Sequence, residues 1–107
     1  MDIMIYTIEA YDSSAERFLD VQGASSAPGT LITMYQSNGN DNQKFKFEWC
    51  GNGYKIHPII NEDLVLTLTL KDNGTGYISI ENDTESLEQI WEFIPYRCKQ
   101  EFCKFNC

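Results

Sequence analysis

Gln43, Phe45 and Phe47 recur as Gln89, Trp91 and Phe93, an offset of 46 residues in a chain of 107. In each copy the aromatics lie two apart, so an extended strand puts them on one face. A glutamine two residues ahead of a large aromatic has a plain structural use. The ring fills a core, and the amide satisfies backbone groups at a turn that would otherwise be buried unpaired. Recurrence at fixed spacing points to a repeat architecture, in which one unit cannot bury its apolar face alone and needs its neighbours.

Each unit reads as four short strands. In the first, residues 3–8 (IMIYTI) are apolar enough for a strand, and 18–21 form the second. Pro28 and Gly29 mark a turn, 31–35 alternate as a third strand, and Phe45, Phe47 and Trp49 alternate with Lys46 and Glu48 in the fourth. The second unit opens at 54–56 and continues with Leu64, Leu66, Leu68 and Leu70 in alternation. It turns at 72–76, resumes at 77–80 and closes at Trp91 to Phe93. Only the tail, residues 97–105, leaves room for a short turn of helix. The expected class is all-β, as a single domain over 1–107 with repeat one at about 3–49, repeat two at about 54–94 and a Cys-rich tail at 95–107.

With Phe18, Leu19, Asp20, Val21, Gln22 and Gly23, then Gly29, Thr30 and Leu31, Tyr35, and Asn42, Gln43 and Phe45, the first unit resembles the ricin B-type (R-type) lectins, the QxW repeats of a β-trefoil. In the second unit only Gly74, Thr75, Gln89 and Trp91 stand out, and the resemblance spans about residues 3–94. It implies a β-trefoil-like fold and a non-enzymatic lectin for galactose-type sugars, with glycans or glycoproteins as partners and no cofactor. Three units at this spacing would take roughly 138 residues. The shortfall is about one unit: either another chain completes the fold, or the tail plugs it, or this is a fragment of a longer protein. Completion by self-association into a homo-oligomer is the expectation.

Sugar recognition needs a carboxylate and amides for vicinal hydroxyls and a ring for the C–H face of the pyranose. Carried over from the resemblance, Asp20 accepts from two hydroxyls, Tyr35 is the stacking platform and Asn42 donates to the sugar or to Asp20. Gln43 buttresses the turn, and Thr33 lines the pocket. The second unit offers Leu66 for the Asp, Ile80 or Glu81 for the aromatic and Glu88 for the Asn, and is expected to be structural. The alternative is a β-trefoil-like protein-interaction or structural module whose sugar site is inactive.

Eight Lys and Arg against sixteen Asp and Glu give a net charge of -8, which repels phosphate backbones and anionic lipid, so neither nucleic acid nor membrane insertion is expected. Cys50, Cys98, Cys103 and Cys107 are disulfide candidates with three full pairings open. They favour an extracellular or secreted setting, as do the acceptor triplets at Asn73 and Asn82, although the opening MDIMIYTIEA carries no signal peptide if Met1 is the natural start. Metal is not expected. The cysteines lack a CxxC knuckle, and residues 71–82 imitate a calcium loop with Lys71 and Asn82 where its key carboxylates belong. His57 has no assignable nucleophile, and the carboxylates of 81–92 read as a solvated face.

Overall fold

Most of the alternating apolar runs become strands where the sequence places them. The computed structural model describes residues 4–10 and 16–94. Its strands are β1 Met4–Tyr6, β2 Arg17–Val21, β3 Ile32–Gln36, β4 Phe45–Trp49, β5 Tyr54–Pro58, β6 Leu64–Leu70 and β7 Gly76–Asn82. Single 3-10 turns stand at Gln22–Ala24, Asp41–Gln43 and Leu87–Gln89. The class is all-β and the architecture β-trefoil-like.

β1, β4 and β5 form one antiparallel sheet in that order, with Tyr6 opposite Phe45 and Phe47 opposite Ile56. β2 with β3 and β6 with β7 are hairpins that cap it. The hairpins of the two units meet where Gly29 N–H donates to Ile80 O at 2.7 Å and Ile80 N–H donates to Thr30 O at 2.9 Å. Val21, Phe45, Phe47, Ile56, Leu64, Leu66 and Ile80 make the buried core. Each such side chain contributes about 1.5–3 kcal/mol on burial, and both repeats contribute, as units that depend on each other should.

Trp91 to Phe93, expected as a strand, holds only one bridge among the described residues, Trp91 to Tyr54, with Tyr54 N–H donating to Trp91 O at 2.7 Å. A strand is stabilised by ladders on its flanks, and on its far flank this segment has no partner strand among the described residues. The bridge needs a close approach. A Cβ on Gly53 would lie 2.6 Å from Ile90 Cγ2 and 2.8 Å from Trp91 O, so only glycine fits there. The tail expected to carry a turn of helix lies outside the described residues.

Candidate functional site

Adjacent in sequence, Asn42 and Gln43 sit on the turn before β4, and both side chains reach back to β2. Gln43 is 1% exposed. Its Nε2 donates to Asp20 Oδ2 and to Gln36 O, each at 2.8 Å, while its Oε1 accepts from Asn38 N–H at 3.1 Å. Asn42 Nδ2 donates to the same Asp20 Oδ2 at 3.1 Å, and Asn42 Oδ1 accepts from Asn38 Nδ2 at 3.4 Å. A buried carboxylate is costly unless hydrogen-bonded. Here two amides hold Asp20 through one oxygen, and neither of them engages Oδ1.

Asp20 stands at the wall of an open depression of about 700 Å³. Thr33, which pairs with Asp20 across the β2–β3 ladder, and Tyr35, two residues on and on the same face, line it with Asn42. Tyr35 is 55% exposed, so its ring is a free surface and not core. Thus Asp20, Thr33, Tyr35 and Asn42 come together in one depression, while Gln43 lies behind Asp20 and does not line it. The loop after β2 adds Gln22, Gly23 and Ala24, turned by positive φ at Gly23 (65°) and Ala24 (53°).

Sequence reasoning missed Ile60, which lines the same depression from the second unit. The loop that carries it is clamped to the first unit where Asn61 Nδ2 donates to Ser26 O at 3.0 Å and Ile59 N–H donates to Lys44 O at 3.0 Å. No local pattern marks Ile60, because its role arises only from the packing of two units.

The second unit repeats the bracing without the carboxylate. Gln89, also 1% exposed, donates through Nε2 to Thr67 Oγ1 at 3.1 Å and to Asn82 O at 2.8 Å, and its Oε1 accepts from Thr84 N–H at 2.9 Å. Thr67 therefore stands in the place of Asp20, which corrects the expectation of Leu66. Leu66 points into the core instead, and Trp91 Nε1–H donates to its carbonyl at 3.1 Å. The register follows: Thr67 faces Ser79 as Asp20 faces Thr33, and Glu81 takes the position of Tyr35. Ser79 Oγ donates to Glu81 Oε2 at 2.6 Å, which ties up that carboxylate.

Other polar groups have structural employment. His57 Nδ1 lies 2.8 Å from Glu62 O and 3.1 Å from Leu64 O, so it carries a hydrogen, and Nε2 lies 2.8 Å from Glu48 Oε1. Lys55 donates to Asp83 Oδ2 at 2.7 Å. That bond, with help from the Glu85 N–H, holds the Asp83 carboxyl below the usual carboxylate range and raises Lys55 in return. Lys46 likewise lowers Glu62 through a 2.6 Å pair. Cys50 Sγ lies 3.2 Å from Gly53 O, and among the described residues it has no disulfide partner. Cys98, Cys103 and Cys107 lie outside the described residues.

No family model matches the chain. It is 24% identical over 97 residues to Pierisin of Pieris brassicae, covering 85% of this chain, and it spans only 11% of that relative's length. Among solved structures it resembles ThreeFoil, a designed protein of threefold symmetry, at a TM-score of 0.64 with 18% identity, over 80% of this chain and 69% of that one. The likeness extends to the Rhizoctonia solani agglutinin at a TM-score of 0.48 with 20% identity, over 88% of this chain and 96% of the other.

Proposed function

We propose that this chain is a non-enzymatic carbohydrate-binding module of the lectin kind, with one shallow site in its first unit. The observation that carries the reading is the pairing of a braced carboxylate with a bare ring. Asp20 is held by the amides of Asn42 and Gln43 through Oδ2, while the exposed Tyr35 ring and Thr33 share the depression it faces. Asp20 Oδ1 accepts hydroxyl protons, Tyr35 offers its π face to the C–H side of a pyranose, and Asn42 and Thr33 supply further polar contacts. Pre-positioning matters because a carboxylate already fixed by the protein loses little freedom when a sugar arrives.

The preference for galactose-type sugars rests on the resemblance to R-type lectins in the first unit. A lone open site of this kind binds weakly, and presentation of several copies raises avidity. The second unit, with Thr67, Glu81 and Glu88 in the corresponding places, is structural. The test is a glycan array probed with the parent and with Asp20→Ala. Galactose-terminated glycans are expected to retain the parent and to lose the variant. If no glycan binds, or if the variant binds as the parent does, the reading fails and a protein-interaction or structural module takes its place.

A further inference from the structure

One end of the β1-β4-β5 sheet presents aromatics that the described chain does not cover. Tyr6 meets Phe47 edge-on at 5.6 Å, Phe47 meets Phe93 at 5.3 Å, Phe93 stacks on Tyr54 at 4.8 Å, and Tyr54 meets Trp49 at 5.1 Å. Phe47 is buried, but Trp49 is 62% and Phe93 60% exposed, and Tyr6, which shares their face of the sheet, is exposed with them. A contiguous apolar surface of this kind marks a binding face. The sheet also ends on two open flanks among the described residues, β1 on one side and the Trp91 segment on the other.

We propose that residues 95–107 of the same chain lie over this aromatic face, in the space that a third unit fills in a threefold-symmetric fold. The point of departure fits, because Ile94, the last described residue, follows Phe93 on the face itself. The length fits as well. Thirteen residues extend to roughly 43 Å, enough to cross the roughly 17 Å of a five-residue strand more than once. The composition supplies apolar anchors in Tyr96, Phe102 and Phe105.

Charge selects this occupant over a second copy. Residues 95–107 hold three of the chain's eight basic side chains, Arg97, Lys99 and Lys104, and only one of its sixteen acidic ones, Glu101. Everything before them is strongly acidic, so two such bodies repel when brought face to face, while the tail is attracted.

The experiment uses the full chain under reducing conditions and compares the parent with Phe102→Ser/Phe105→Ser. The readouts are fluorescence of the apolar dye anilinonaphthalene sulfonate and molar mass by light scattering. The parent is expected to be a monomer with low dye binding, and the variant to bind severalfold more dye with an unchanged far-ultraviolet circular dichroism spectrum. Should the variant fail to fold, hydrogen exchange on the parent decides: slow exchange at the Phe93 amide in a monomer supports the cover, and fast exchange overturns it. A parent that binds as much dye as the variant overturns the proposal. So does a parent dimer whose mass and dye binding ignore the tail substitutions, which would make the second copy the occupant.

Discussion

Gln43→Ala separates the two tasks of the repeated glutamine, because the same substitution at Gln89 removes the same architecture without touching Asp20. The Gln43 amide makes three bonds, to Asp20 Oδ2, to Gln36 O and from Asn38 N–H. Each such bond contributes about 1 kcal/mol net, and a partner stranded away from water costs about 1–3 kcal/mol. The side chain is also fully enclosed, so its loss leaves a small void. Together these give a destabilisation of about 3–5 kcal/mol, a large part of the roughly 5–15 kcal/mol that holds a domain of this size. Gln89→Ala loses its contacts with Thr67, Asn82 and Thr84 and should cost about the same on this reckoning.

Urea unfolding followed by tryptophan fluorescence measures both losses as a shift in midpoint at constant slope. Affinity for an immobilised sugar, measured where each variant is still folded, then splits them. Gln43→Ala should weaken binding, since Asp20 keeps only the Asn42 amide, whereas Gln89→Ala should bind as the parent does. A loss of less than about 1 kcal/mol for Gln43→Ala would refute the bracing account. An equal loss of binding in both variants would refute the separate role assigned to the first unit.

Three further outcomes are expected. Gly53→Ala should destabilise by about 1–3 kcal/mol, because its new Cβ meets Ile90 and the Trp91 carbonyl inside van der Waals contact, and a thermal melt measures the loss. Lys55→Met should weaken the acid dependence of stability. Asp83 is depressed in the folded state by Lys55, so its contribution is present above the ordinary aspartate value of about 3.9 and fades as the pH falls through its lower folded value. Denaturation midpoints measured from pH 5 to about pH 2 should fall less steeply in the variant than in the parent, and equal slopes would contradict the pairing. Finally, Thr67→Asp, Glu81→Tyr and Glu88→Asn together place the first unit's side chains in the second, the first two at positions that the register assigns and the third on the matching turn. A second binding equivalent by calorimetry is the expected result.

Much of the candidate site could be read along the chain because it is built from short intervals on strands and turns. Asp20, Thr33 and Tyr35 lie on a hairpin whose period-two alternation sets which side chains share a face, and Asn42 and Gln43 occupy one turn. The second unit shows where such reading fails. Choosing Leu66 as the counterpart of Asp20 followed a fixed offset of 46, whereas the hydrogen bond from Gln89 identifies Thr67, one residue further on. A slip of one residue exchanges the core face for the outer face of a strand, so Leu66 and Thr67 have opposite fates.

Taken alone, the sequence determined that this protein is all-β, and it marked the glutamine that braces a turn at each of two places 46 residues apart. Those features rest on alternation and on turn chemistry, which act between residues close in the chain. Only the tertiary structure decided that one Asp20 oxygen takes both amides, that Gln43 stands behind the depression, and that Ile60 of the other unit helps to wall it. It also decided that, among the described residues, Trp91 to Phe93 keeps a single bridge and the aromatic face is left uncovered. Each of these depends on how one unit seats against the next, and that is set by packing between residues far apart in the chain.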